Sequence, residues 1–195
     1  MSRLPPLPRS DLPPAAQQAH DTISSFFASS PLGTAFAYKR PTDGALIGPM
    51  PFYLASPDIG QDVMGLVGKA AALPGLSLEA RETAILAVGA RFQAGYELYA
   101  HTRMAVKTTK LGEERVRLIA GGEKPKDLEE ASGVAFDVAT HLSSKPGALP
   151  QEMWNRSVRV LGKEGTLALV HFVGLYAHTC IVLNAMDAPV PGDGE

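Results

Sequence analysis

The stretch that most constrains the fold is LEARETAILAVGARFQAGYELYAHTRMAV, residues 78–106. Two helical patterns of apolar residues meet within it at 93–95, so it predicts two consecutive helices joined by a short turn. The centre of the first pattern, residues 84–88, is apolar on every side, which is typical of a buried helix. We therefore expect a core helix over 78–94, capped at its N-terminus by Ser77.

Three ionisable residues lie on faces of these two helices that otherwise resemble core. Glu82 points along an apolar stripe of the first helix, where an unpaired carboxylate costs several kcal/mol or stays protonated. Glu97 and His101 occupy positions i and i+4 of the second helix, predicted over 96–110, so their side chains are neighbours. A nearby carboxylate favours the imidazolium and burial opposes it, which makes His101 a tunable proton donor or acceptor.

Purely structural explanations compete with a functional site. Glu82 can form an intrahelical ion pair with Arg81 or Arg91, or a hydrogen bond that only holds the fold, since buried acids are almost always paired. The spacing of Glu97 and His101 is also compatible with a core histidine that has an ordinary partner one turn away. The presence of a third ionisable group, Glu82, on the adjacent buried helix favours a site.

The segments RETAILAVGAR (81–91) and YELYAHTRMA (96–105) resemble the carboxymuconolactone decarboxylase and alkyl hydroperoxidase D superfamily. A weaker resemblance extends to GPMPFYLASPDIG (48–60) and to VGLYAHTCIVLNAM (173–186). The resemblance implies an all-α, single-domain helical bundle like that of alkyl hydroperoxidase D, and it also points to a homo-oligomer.

Two branches of this superfamily differ at the positions that carry chemistry. In the hydroperoxidase branch a glutamate precedes a Cys-x-x-Cys pair and then a histidine. Glu82 and His101 match that glutamate and histidine, but Ala94 and Glu97 stand at the two cysteine positions, which argues against peroxidase activity. The decarboxylase branch lacks the cysteines and carries a Tyr-Glu-x-x-x-His pattern, matched by Tyr96, Glu97 and His101.

The resemblance implies a carboxy-lyase without cofactor, acting on a small carboxylated lactone or a related acid. In this hypothesis His101 donates a proton to the enolate left by loss of carbon dioxide, Glu97 orients His101, and Glu82 relays or anchors. The further candidates for contacts to the substrate are Arg81, Arg91, Tyr96 and His178. Either arginine can hold a substrate carboxylate through a two-pronged contact, unless it is committed to an ion pair. A hydroperoxidase-like antioxidant protein and a non-catalytic binding or assembly protein are the alternatives.

Composition bounds the remaining function classes. The 195 residues suit one domain over 1–195, and 45% apolar with 19% charged residues is ordinary for a soluble protein. A formal net charge of −2 provides no basic field for nucleic acid or an anionic membrane. The N-terminus lacks the charged and apolar regions of a signal peptide, so we expect a cytoplasmic protein.

Histidine and cysteine usage predicts neither a metal nor a cofactor. His171 and His178 are seven residues apart and share a helix face, but the sequence contains no HExxH or other tight ligand pattern. For His178 a hydrogen-bonded core histidine is an alternative to a polar wall residue of the pocket. The lone Cys180 excludes an intrachain disulfide, lacks a resolving partner, and is expected to be an inert core residue.

Outside the central stretch, the pattern predicts seven or eight helices in all and no strands. The other predicted helices cover 15–28, 58–73, 113–120, 126–142, 150–162 and 165–186. Residues 1–14, with five prolines, and the tail from Asp187 are expected to be extended or flexible. The long irregular stretch 29–57 has aromatic anchors, and it either forms a wall or lid over the site or packs on another subunit.

The apolar run LALVHFVGLYAHTCIVL, residues 167–183, is short for a membrane span and contains two histidines. It is better interpreted as a buried or interface helix. Together with the aromatic loop it carries more apolar surface than a small all-α domain usually hides, which predicts a homo-oligomer, a trimer or a hexamer.

Overall fold

The computed structural model of the protein describes residues 2–192 and is all-α. In chain order the α-helices are α1 (Pro14–Ala28), α2 (Met50–Ala55), α3 (Pro57–Ala71), α4 (Leu78–Phe92), α5 (Gly95–Thr108), α6 (Glu113–Ala120), α7 (Glu130–Leu142) and α8 (Gln151–Met186). Two 3-10 helices, Arg9–Asp11 and Pro31–Thr34, and an isolated bridge between Lys39 and Leu46 complete the regular structure of this range. The predicted all-α helical bundle is confirmed.

Helix α4 is the central element of the bundle. It packs against α5, α6, α7 and α8, and every residue from 82 to 89 is buried. The Ser77 hydroxyl accepts a hydrogen bond of 3.2 Å from the Ala80 N–H, which is the N-cap that the sequence predicts. The helix ends at Phe92 because Gln93 adopts a left-handed conformation with φ 52°, which reverses the chain toward α5.

One helix is not predicted from the sequence, and another begins four residues later than predicted. Helix α2 lies inside the stretch predicted to be irregular, because Pro49 and Pro51 resemble helix breakers in the sequence, whereas prolines are well tolerated at a helix N-terminus. Helix α7 begins at Glu130 rather than at Lys126. The preceding turn is held by an ion pair of 2.5 Å between Asp127 and Arg115, and Glu129 is extended.

The last two predicted helices form one long segment, α8, with a break. Gly162 within it has φ 72° and ψ 171°, a conformation outside the helical range that glycine adopts at little cost. By length and composition alone α8 is apolar enough to cross a membrane. Half of its most apolar 18-residue segment is buried inside the protein. The core helices of soluble proteins can be equally long and apolar.

The chain termini lie against their own chain as far as the structure describes them. The Arg3 N–H donates to the Met186 carbonyl at 2.8 Å, so the proline-rich N-terminal segment is extended and docked at the end of α8. At the other end, Val190 lies beside Gly95 at the start of α5. Of the tails predicted to be flexible, Met1 and residues 193–195 lie outside the described residues.

Two apolar clusters form the interior. The larger one is centred on α4 and includes side chains of α5 to α8, while the smaller one joins α1, α2, α3 and the segment between α1 and α2. In the smaller cluster the rings of Phe27 and Tyr38 stack with centroids 4.5 Å apart. Phe36 packs against both clusters and meets Tyr96 edge-on at 6.5 Å. The candidate site lies along the seam between the two clusters.

Candidate functional site

Glu82, Glu97 and His101 come together in the interior, as the sequence predicts. The Nδ1 of His101 lies 2.8 Å from Glu82 Oε2, and its Nε2 lies 3.2 Å from Glu97 Oε1. The exposed fractions of the three residues are 2% for Glu82, 4% for Glu97 and 6% for His101. Glu82 thus pairs with a histidine of the next helix and not with Arg81 or Arg91, the structural alternative considered above.

The local sequence explains why two helices can bring these groups together. Glu97 and His101 share one face of α5 because they are four residues apart. At Gly89 of α4, an added Cβ would lie 3.0 Å from Leu98 Cδ2 and 3.7 Å from Glu97 Cγ. The glycine therefore permits the close approach of α4 and α5 that places Glu82 against the imidazole.

The two carboxylates determine the charge of His101. Burial lowers the pKa of His101, but Glu82 and Glu97 outweigh it and raise that pKa to about 9. The Nδ1–H of the imidazolium donates a hydrogen bond to Glu82 Oε2. Both ring nitrogens of the imidazolium therefore face carboxylate oxygens, and neither is directed at open space.

Glu97 has a different electrostatic environment. Burial raises the pKa of Glu97, His101 opposes the rise, and the charge of Glu82 adds to it. Glu97 Oε1 lies 3.2 Å from His101 Nε2, but the contact lacks good hydrogen-bond geometry within the described chain. Burial and the acid at position 82 therefore favour the protonated form of Glu97.

A mainly apolar cavity adjoins Glu97 and His101. A volume of about 70 Å³ is open to the centres of water molecules, whereas one water needs about 10–15 Å³. The cavity can therefore hold several waters or one small organic molecule. The lining side chains come from α1, α2, α3, α5, α8 and the 29–49 segment: Phe26, Phe27, Phe36, Pro49, Met50, Tyr53, Met64, Val67, Tyr96, Glu97, Ala100, His101, Leu175, Tyr176 and Thr179.

The irregular stretch 29–57 contributes to the wall of this cavity. Phe36, Pro49, Met50 and Tyr53 all belong to it and all line the cavity. The expectation of a wall over the site therefore matches the geometry within one chain. The alternative role, packing on another subunit, stays a prediction.

Besides Glu97 and His101, four of the described wall residues carry a hydroxyl group: Tyr53, Tyr96, Tyr176 and Thr179. Burial raises the pKa of Tyr176 well above its usual range, with further increases from Glu97 and Glu82. Burial also raises the pKa of Tyr53, and the nearby Thr179 hydroxyl opposes this rise. Both phenols are therefore neutral hydrogen-bond donors at physiological pH. The Tyr53 hydroxyl has no hydrogen bond of good geometry within residues 2–192.

Tyr176 is not predicted from the sequence to belong to the site, and Tyr53 is predicted only as one of the aromatic anchors of the 29–57 stretch. Tyr176 meets the His101 ring edge-on with centroids 5.0 Å apart, so it belongs to the immediate surroundings of the trio. Tyr53 sits on the unpredicted helix α2. The available signal was the resemblance of segments 48–60 and 173–186 to the superfamily, since each contains one of these tyrosines.

The other predicted substrate contacts are placed differently. Tyr96 lines the cavity, but its hydroxyl donates to the Ala37 carbonyl at 2.7 Å and so anchors the 29–49 segment. Arg81 lies over the Phe172 ring at 4.7 Å and donates to the Ala71 carbonyl at 3.0 Å. Arg91 is exposed and lies outside the cavity wall.

His178 is also outside the cavity wall. It is exposed on α8, stacks on the outer side of the Tyr53 ring with centroids 6.3 Å apart, and lines a separate groove with His171. The arginines and His178 therefore do not converge with the trio. The sequence predicts Arg81 and Arg91 as partners of a substrate carboxylate and His178 as a polar wall residue, but the packing of α4 and α8 directs all three away from the cavity.

The described cysteine and metal-ligating side chains do not form the arrangements that thiol or metal chemistry usually needs. Cys180 is fully buried, and burial raises the pKa of its thiol, so the reactive thiolate is disfavoured. In the part of the chain that the structure describes, no three His, Cys, Asp or Glu side chains have metal-binding geometry.

No protein-family model matches the chain, and no curated protein is similar to it at a significant level. Among solved structures, the fold is similar to that of the debrominase Bmp8 in its apo form. The TM-score is 0.71 at 17% sequence identity, over 97% of this chain and 92% of that one. A cysteine-to-alanine variant of the debrominase with 2,3,4-tribromopyrrole matches equally, over 97% and 91% of the two chains.

The likeness to the debrominase is a likeness of fold. It extends over nearly the whole of both chains, so the bundle is a known arrangement of these helices. At 17% sequence identity it shows the fold alone. The roles of the site residues therefore rest on their own geometry.

Proposed function

We propose that the chain is a cofactor-independent acid–base enzyme of the lyase class, which protonates a carbanion formed from a small acid. The observation that carries this proposal is the buried chain of contacts Glu82–His101–Glu97 beside an apolar cavity. Perturbed ionisable groups that converge at a cavity are typical of catalytic sites. This arrangement keeps a transferable proton next to the space for a ligand.

In this proposal Glu97 exchanges the proton with the ligand, and His101 acts through Glu97. Both nitrogens of His101 are directed at carboxylates, while Glu97 lines the cavity and its raised pKa favours the acid form. The imidazolium stabilises the carboxylate that Glu97 becomes after donation, and Glu82 maintains the charge of His101. The assignment reverses the roles expected from the sequence, in which His101 donates and Glu97 orients.

The proposed step is a decarboxylation followed by protonation. The bond between the substrate carboxylate and its neighbouring carbon breaks, carbon dioxide leaves, and the electron pair stays behind as an enolate. The Glu97 carboxyl gives its proton to that carbon and becomes a carboxylate, which regains a proton from water. The neutral hydroxyls of Tyr53 and Tyr176 are suited to stabilising the enolate oxygen.

The similar fold supports catalysis on small organic molecules in general. The debrominase with its bound tribromopyrrole is one example of such chemistry on this fold. Decarboxylation in particular rests on the superfamily resemblance and on the acid–base arrangement. The hydroperoxidase alternative requires a reactive thiolate, and the properties of Cys180 disfavour one.

The test is carbon dioxide release from a panel of lactone acids and other conjugated carboxylic acids. Wild type, Glu97→Gln and the control Glu123→Gln, an exposed loop acid, are compared with the same substrates. General acid catalysis contributes about 10²–10⁴-fold, so we expect Glu97→Gln to lose at least about 10²-fold in kcat while the control is unchanged.

Two outcomes contradict the proposal. Wild-type protein that releases no carbon dioxide from any member of the panel favours a non-catalytic role. Full activity of a folded Glu97→Gln variant removes Glu97 from the proton transfer.

A further inference from the structure

The cavity wall contains few charged side chains. Its ionisable wall residues besides the tyrosines are Glu97 and His101, and no arginine or lysine lines it in the described chain. His101 is already neutralised by Glu82, at 2.8 Å, so the trio as a whole supplies no excess positive charge. An anionic ligand therefore has little to pair with once it has left water.

Basic side chains of α4 and α5 are engaged away from the cavity. Arg81 lies over Phe172, Arg103 lies over the Tyr99 ring at 4.0 Å, and Lys107 donates to the Thr34 carbonyl at 2.8 Å. None of the three is part of the cavity wall. A ligand with two carboxylates would thus bury at least one of them without a cationic partner.

The remaining wall favours a flat, apolar ligand body. The rings of Phe26, Phe27 and Phe36 come from one side of the seam, and Tyr96 and Tyr176 from the other. Aromatic walls of this kind bind planar rings through offset and edge contacts. The Tyr53 hydroxyl, buried and without a hydrogen bond of good geometry among residues 2–192, is available to one polar atom of the ligand.

We infer that the site takes a planar, mainly apolar ring with one hydroxyl or carbonyl oxygen and no carboxylate beyond the one that the proposed step removes, and that it rejects dicarboxylates. The ring lies among the aromatic wall residues, and the oxygen lies at the Tyr53 hydroxyl. This inference rests on the proposed function for the identity of the site. It narrows the substrate from carboxylated acids in general to monocarboxylated ring compounds.

Calorimetric titration tests the inference without turnover. The probes are benzoate, 3-hydroxybenzoate and benzene-1,3-dicarboxylate, at one pH and ionic strength. We expect benzoate to bind at least about tenfold more tightly than the dicarboxylate, because the second carboxylate is left unpaired. We also expect 3-hydroxybenzoate to bind more tightly than benzoate through the Tyr53 hydroxyl.

Two variants isolate the oxygen contact. Tyr53→Phe should remove the advantage of 3-hydroxybenzoate over benzoate. Tyr38→Phe, a buried tyrosine outside the cavity wall, should keep it. Retention of the advantage in folded Tyr53→Phe would overturn the placement of the oxygen.

Equal or tighter binding of the dicarboxylate would overturn the inferred rejection of dicarboxylates. Failure of all three probes to bind at millimolar concentration would overturn the inference that the cavity takes a planar ring. These outcomes can be distinguished from failure of the carbon dioxide assay. Selective binding without turnover defeats the proposed function alone, while turnover with a preference for dicarboxylates defeats this inference alone.

Discussion

Glu82 and His101 lie 19 residues apart on different helices, yet their side chains meet through a buried hydrogen bond of 2.8 Å between Oε2 and Nδ1. The contact joins α4 to α5 at the centre of the bundle. Removal of one partner from a buried ion pair typically costs about 3–5 kcal/mol, because it leaves an uncompensated charge. This pair therefore contributes to both the fold and the charge state of the site.

The first prediction concerns stability and pH. The pKa of His101 rises from 6.5 to about 9 on folding, so the folded state holds this proton more tightly than the unfolded state. The resulting stabilisation is complete below pH 6.5 and is lost as the pH rises through about 9. Denaturant unfolding over this range should show a falling free energy of unfolding.

The control for this prediction is His101→Gln, which cannot titrate. It should be less stable than wild type at low pH and should show a much weaker decline over the same range. A free energy of unfolding that is constant with pH in wild type would contradict the coupling of His101 to its two carboxylates.

Cys180→Ser should leave catalysis intact and weaken the fold. The thiol is fully buried, and the serine hydroxyl would be buried without a dedicated partner, at a cost of about 1–3 kcal/mol. Turnover and denaturant unfolding measured on the same preparation separate the two effects. A well-folded variant that has lost turnover would show that the thiol takes part in the chemistry.

Gly48 and Gly44 allow a matched test of the cavity wall. Both have positive φ, 70° and 74°, so alanine at either position costs about 1–2 kcal/mol in strain. A Cβ on Gly48 would also lie 2.3 Å from Tyr96 Cε1, whereas a Cβ on Gly44 meets nothing within 4 Å in the described chain. We expect Gly48→Ala to cost about 1–3 kcal/mol more than Gly44→Ala in unfolding experiments. Equal costs would mean that Tyr96 is not held against this turn.

Exposed apolar residues of α3 and α8 support the predicted homo-oligomer. Leu66 and Val170 line a shallow groove between these helices, and Ile59 and Ile181 are 62% and 55% exposed. Sedimentation velocity at micromolar concentration should show an assembly, which Leu66→Lys disrupts and Val106→Lys, on α5, does not. A wild-type monomer would contradict the prediction.

The sequence was most informative where the chemistry lies within one helix. The i, i+4 spacing places Glu97 beside His101 whatever the rest of the fold does, and the buried character of α4 marks Glu82 as unusual. The partner of Glu82 could not be deduced from periodicity. It depends on the close approach at Gly89 and on the left-handed turn at Gln93.

The part of the cavity wall that comes from α2 and α8 could not be predicted from sequence patterns within single helices. Tyr53 and Tyr176 come from α2 and α8, and only the packed bundle brings them to α5. The positions of Arg81 and Arg91 show the converse limit. The sequence predicts that either arginine can hold a substrate carboxylate through a two-pronged contact, but rotation around α4 directs Arg81 to Phe172 and Arg91 to the surface.

The central claim is that Glu97 holds a transferable proton beside the cavity, and infrared spectroscopy tests it most directly. The carbonyl stretch of a protonated carboxyl is recorded as a difference between wild type and Glu97→Gln during a pH titration. The account predicts a band that is absent from the variant and that persists in wild type above pH 4.5, the ordinary pKa of glutamate. A Glu97 carboxyl that ionises at or below pH 4.5 would contradict it.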